Sequence, residues 1–132
     1  MMKRIALAAL AVMTLVSSHG RSEDKSIKQL MQRKLQAAQR ALEGVAVGNY
    51  DQVAKNGEEL ILISKSAEWR VIDRPQYELF SNEFRRRVES LIQAAKERNT
   101  DGAALAYVEV TLSCVKCHKY IREERQSRLF DR

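Results

Sequence analysis

Residues 114–118 read Cys114-Val115-Lys116-Cys117-His118. This C-x-x-C-H constrains the chain more than any other feature, because it is the attachment signature of a c-type haem. Thiols three residues apart lie on one side of a helix, where both can add to the two vinyl groups on one porphyrin edge. The adjacent imidazole then reaches the iron from one face, a standard way of holding haem iron. The chain has two cysteines, both in the motif, and two histidines, of which His19 falls in a segment expected to be removed. That scarcity weighs against the alternatives. A thioredoxin-like dithiol needs a βαβ setting, and the pattern offers no convincing strand. A structural zinc wants four Cys or His ligands, and three remain. A disulfide between residues three apart in a helix is strained. The motif therefore predicts one covalent haem c on Cys114 and Cys117, with His118 as an axial iron ligand.

Residues 1–22 read as a signal peptide. Lys3 and Arg4 form a charged start, and Ile5 through Val16 form an apolar stretch interrupted only by Thr14. The stretch is short for a membrane span. Ser18-His19-Gly20 and Gly20-Arg21-Ser22 both end in a small residue, but neither is a clean A-x-A site. A retained N-terminal anchor is the alternative. Export to the periplasm agrees with the motif, since haem is joined to such motifs outside the bacterial cytoplasm. Residues 23–132 then make one domain. The chain carries 23 Lys and Arg against 17 Asp and Glu, a net charge of +6, and Lys3 and Arg4 leave with the leader. What remains is mild. No basic stripe is interleaved with aromatics, so nucleic acid is not an expected partner.

Charged residues make up 30% of the chain, and there are one proline and five glycines. Few breaks and much charge predict helix. The first helix is expected over Ser26–Val47, with Ser26 and Gln29 forming a capping box and Gly48 ending it. Ile27, Leu30, Met31, Leu35, Ala38, Leu42 and Val45 form its apolar stripe, and Lys34 falls among the outward polar residues. The second is expected over Asp51–Trp69, capped by Asp51. Gly57 inside it costs about 1 kcal/mol against Ala, and marks either close helix contact or simple tolerance. The third runs from Gln76 to Arg98 behind Pro75, with Tyr77, Phe80, Phe84, Val88, Leu91, Ile92 and Ala95 inward. The fourth begins at Thr100 or Asp101, runs to Leu129 and carries the motif. Leu105, Val108, Leu112, Val115 and Ile121 form its apolar side. Four such helices with short loops predict an all-α, antiparallel up-down-up-down bundle.

In that topology the first helix ends where the fourth begins. Met31 lies ~25 Å of helix from Gly48, and His118 lies ~25 Å of helix from Asp101, at about 1.5 Å per residue. The two residues should share a level on neighbouring helices. Met31 is also the only methionine left once Met1, Met2 and Met13 go with the leader. It is the candidate sixth iron ligand, and its alternative role is core packing.

The motif near the C-terminus, the four-helix pattern and the Gly48-Asn49-Tyr50-Asp51 turn resemble the class II c-type cytochromes, the cytochrome c-prime family. The likeness spans residues 26–125. It implies His118 as the proximal ligand and places Met31 where low-spin members carry a distal methionine. High-spin members often carry an arginine one turn earlier, where this chain has Ile27. The resemblance also implies dimerisation through the first two helices. The function expected is electron transfer with redox partner proteins through a six-coordinate His/Met iron. The alternative is a five-coordinate binder of nitric oxide or carbon monoxide. An enzyme such as a peroxidase needs a distal acid–base residue, and no second histidine remains for that role, so no catalytic residue is assigned.

Overall fold

The computed structural model describes the backbone of residues 2–130 and the side chains of residues 24–130. The helices are α1 (Met2–Val47), α2 (Tyr50–Ser64), α3 (Pro75–Lys96) and α4 (Thr100–Phe130), with a 3-10 turn at Ala67–Trp69. They form the expected all-α four-helix bundle, with no strand among the described residues. Also among the described residues, no helix is long and apolar enough to cross a membrane. The leader expected over residues 1–22 falls where side chains lie outside the described set.

The helix starts depart from expectation in instructive ways. α1 runs unbroken through Ser26, so no capping box forms there. Residues 20–26 hold one glycine and no proline, and nothing in them stops a helix. At α2 the cap is Asn49, whose Oδ1 accepts from the Gln52 backbone N–H at 3.1 Å. At α4 it is Asn99, whose Oδ1 accepts from the Gly102 N–H at 2.9 Å. Each asparagine follows a residue in the left-handed region, Gly48 at φ 70° and Arg98 at φ 54°. The left-handed residue ends one helix and the asparagine opens the next, so the aspartates expected as caps are not needed. The Tyr50 hydroxyl and Thr100 Oγ1 lie 2.6 Å apart and tie the two turns together. The end of α1 and the start of α4 therefore share one end of the bundle.

The second helix is shorter than expected. It stops at Ser64, and Trp69 sits in the separate 3-10 turn. A closed set of hydrogen bonds fixes this segment to α3. Trp69 Nε1 donates to Ser81 Oγ at 2.9 Å, and Ser81 Oγ donates to the Tyr77 carbonyl at 3.0 Å. The Tyr77 hydroxyl donates to the Trp69 carbonyl. The Trp69 ring is buried and stacks on Phe84 at 5.5 Å. Buried Ser81 is thus fully used as a polar link.

Consecutive helices pack along their length, but α1 and α4 meet only sparsely. The core is built from Val53, Leu60 and Ile63 of α2, Phe84, Val88 and Leu91 of α3, and small residues of the outer helices. The face α4 buries is Ala103, Ala106, Val110, Ser113 and Cys117. The stripe expected to be inward, Leu105, Val108, Leu112 and Val115, is exposed, and Ile121 is half-buried. The cause is volume. α3 offers bulky Phe84, Val88 and Leu91, and only small side chains opposite let α4 approach. α1 makes the same choice with Ala37 and Ala41, leaving Leu35 and Leu42 outward.

Gly57 is a close-contact glycine. A Cβ there would lie 2.5 Å from Ile92 Cγ1 and 3.7 Å from Val88 Cγ1. Gly57→Val should therefore destabilise the bundle by ~1–3 kcal/mol through overpacking at the α2–α3 contact. Urea melts of the two proteins check this, with the midpoint moving down in the variant.

Candidate haem site

The rotation of α4 that buries Ala106, Val110 and Cys117 against α3 turns Cys114 and His118 toward α1. Cys117 is buried and Cys114 half-buried, and no disulfide joins them. Across the gap α1 presents Lys28, Met31, Lys34, Leu35 and Ala38. The sparse α1–α4 contact leaves two cavities here. One, of about 380 Å³, is lined by Met31, Lys34, Leu35, Ala38, Cys114 and His118. The other, of about 300 Å³, is lined by Ile27, Met31, Lys34, Trp69, Tyr77 and His118, with Val71 and Ile121. Met31, Lys34 and His118 belong to both. The level expected for Met31 and His118 on neighbouring helices is the level at which they are found.

The donor set suits a covalently linked porphyrin. The two thiols face the gap from one helix, and the imidazole stands beside them. The rest of the wall is chiefly apolar, with Lys28 at the first cavity and Arg122 and Arg125 at the second, and it is in the size range of a cofactor pocket. His118 is open to the cavities, yet its pKa lies below the ordinary imidazole range. Loss of hydration lowers it first, and the positive charges of Lys34 and Arg122 add to this. Those influences favour the neutral ring, the form that ligates a metal. Burial pushes the Cys117 thiol up, opposed by the charge on Lys34. Tyr77, which lines the second cavity, is pushed up to about 12 by burial and then by Cys117. Tyr107 reaches over from α4 and donates to the Ala38 carbonyl at 3.0 Å, one of the few direct ties across the gap.

Lys34 is the residue whose place the sequence pattern misassigns. It is expected outward and is 8% exposed. Its Nζ lies 4.2 Å from the Phe84 ring centroid and 4.6 Å from that of Trp69. No ion pair with a carboxylate includes it among the described residues. Burial lowers its pKa, while Cys114 and then Cys117 favour its charged form. The periodicity does carry the signal: Lys34 falls in register with Leu30, Ala37 and Ala41, the residues α1 buries. The larger side chains of Met31, Leu35 and Leu42 draw the apparent stripe away from it. Trp69 and Val71 line the second cavity. Arg70 and Arg74 are exposed.

No family model matches the chain, and no curated protein matches it. Two solved structures do, both of cytochrome c prime from Alcaligenes xylosoxidans. One is a nitric oxide complex of a leucine-to-alanine mutant. It is 18% identical, covers 74% of this chain and 92% of its own, and has a TM-score of 0.57. The other, a nitric oxide complex of a leucine-to-isoleucine mutant, is 19% identical, with 74% and 93% coverage and a TM-score of 0.54. The chain shares their four-helix fold. In this fold Lys34 occupies a core position that an apolar side chain would fill without cost.

The folded chain resists protonating Lys34, so below 10.5 the unfolded chain binds more protons. Stability then rises with pH as Lys34 loses its proton. In the haem-free protein, Lys34→Met should gain about 1 kcal/mol at neutral pH, because relief of the desolvation penalty outweighs the cation–π attraction that the variant gives up. That advantage should shrink as pH rises toward 10.5. Paired urea melts at neutral and alkaline pH measure the difference, in which the opposing titration of Tyr77 cancels.

Proposed function

We propose that the chain is a c-type cytochrome of the cytochrome c-prime kind, carrying one haem c and binding a small gas such as nitric oxide at the iron. The observation that carries the haem assignment is the convergence of Cys114, Cys117 and His118 on a chiefly apolar gap that α1 and α4 leave open. Haem c bound there supplies an iron able to change oxidation state and to take a diatomic ligand. Cys114 and Cys117 would hold the porphyrin edge through thioethers. His118 would supply the proximal nitrogen, and the partial loss of hydration that lowers its pKa favours the neutral ring that ligates. The α1 side chains close the opposite face and keep water out. Nitric oxide as the ligand is supported by the two structural neighbours, each of which is a nitric oxide complex. Residues 1–22 act as the export signal in this reading, and the protein works in the periplasm.

A second reading rests on one residue. Met31 lines both cavities together with His118. If its thioether binds the iron, both axial positions are filled and the protein transfers electrons between redox partners, with the potential raised by the sulfur ligand. A homodimer through α1 and α2 is compatible with either reading.

Absorption spectra of the oxidised and reduced protein, with and without nitric oxide, separate the two. The gas-binding reading expects a high-spin spectrum, rapid ligand uptake and little change in Met31→Ala. The electron-transfer reading expects a low-spin spectrum that turns high-spin in Met31→Ala. In either case the Cys114→Ala, Cys117→Ala double variant should lose all haem that survives denaturation and solvent extraction.

A further inference from the structure

Lys34 is the one charged side chain that the fold buries in this site. A buried ammonium is costly unless it is paired. Here it rests against the faces of Trp69 and Phe84 and beside the two thiols. The ring faces are permanent partners. The thiols are not, if they serve as the attachment points. On forming a thioether, each sulfur loses its proton to the vinyl carbon and can no longer carry a negative charge. The bond made is S–C, the vinyl C=C becomes C–C, and no electron leaves the pair. Lys34 then has cation–π partners but no anionic one.

Two groups on a bound haem can offer negative charge. Propionates would lie on the porphyrin edge away from the vinyls that the cysteines would hold, whereas Lys34 lies beside Cys114 and Cys117. The remaining candidate is whatever occupies the iron on the α1 side. Lys34 comes from α1, one turn from Met31, and lines both of the cavities that His118 lines. Two aromatic faces hold its ammonium, and because Lys34 lines both cavities, the N–H groups it does not share with Cys114 are donors available to that volume.

We propose that Lys34 supplies the distal hydrogen-bond donor of this site, so that the iron prefers small anionic ligands to neutral ones. This rests on the haem assignment above and deepens it by naming the ligand class. Donors in a distal pocket decide which ligands a haem holds. A charge-assisted donor favours an anion, or a diatomic that gains negative charge on binding, and adds little to a neutral one such as carbon monoxide.

The test uses the mature haem-loaded protein, Lys34→Met and Lys34→Gln, each also in a Met31→Ala background so that the thioether cannot mask the site. Azide is titrated into the oxidised form and carbon monoxide into the reduced form. Lys34→Met should weaken azide at least about tenfold, the loss of one hydrogen bond to a charged group. Carbon monoxide affinity should change by less than about threefold, since that ligand carries little charge. The C–O stretch should rise as the donor disappears. Lys34→Gln, which keeps a neutral donor, should fall between the two and serves if the methionine variant does not fold. Unchanged azide affinity and an unchanged C–O stretch in both variants overturn the proposal. So does azide that binds none of the proteins. A spectrum that goes from low-spin to high-spin in Lys34→Met alone overturns it in favour of Lys34 as an iron ligand. Absence of covalent haem in the parent protein is a separate failure, that of the haem assignment itself.

Discussion

The rest of the structure depends on how far α4 is rotated about its own axis. α4 carries apolar residues on opposite sides, so its sequence does not choose a face by hydrophobicity alone. α3 chooses for it. Phe84, Val88 and Leu91 fill the centre of the bundle, and only the row of Ala103, Ala106, Val110 and Ser113 lets a helix sit close to them. Once that row is inward, Cys117 is buried at its end and Cys114 and His118 are aimed at α1. The site is thus set by a packing match some distance from it. Its second wall follows from the same logic on α1, where Ala37 and Ala41 pack inward and leave the longer Met31 and Leu35 at the gap. Because α1 and α4 touch so little, their gap remains open where the thiols are.

The motif, the four helices and the common level of Met31 and His118 were legible from residue spacing, because each depends on helical geometry alone. Gly48 and Pro75 marked their boundaries for reasons of backbone conformation. What the spacing could not show was which of two competing faces a helix buries. Leu105, Val108, Leu112 and Val115 form as regular a stripe as any in the chain, and the fold leaves them outside. Lys34 is the same error in reverse. Its position is inward by register, but its chemistry reads as outward, and only the ring faces of Trp69 and Phe84 make its burial tolerable. The helix caps were misread for a local reason. Asp51 and Asp101 are good capping residues, yet Asn49 and Asn99 reach the free N–H groups first because each follows a left-handed residue.

The electrostatics of the site centre on that buried amine. Burial disfavours its charge, Cys114 and Cys117 partly offset that, and its charge in turn lowers the basicity of His118 and opposes the rise of the Cys117 thiol. These effects are mutually dependent, so converting the thiols to thioethers changes the balance for all of them. In the proposed reading, the one buried cation would let a chiefly apolar pocket discriminate among ligands by charge, a property that size and shape alone cannot give. Tyr77 and Ser81 keep the Trp69 segment in place and so fix one of the two rings that hold the cation.

The central claim is that the gap between α1 and α4 is built for a porphyrin bonded to both cysteines. The most direct measurement is the intact mass of the purified protein under denaturing conditions, after organic extraction. The account predicts a single species heavier than its polypeptide by one haem, with both thiols unavailable to an alkylating reagent. A mass equal to the bare polypeptide, with two alkylatable thiols, would contradict it.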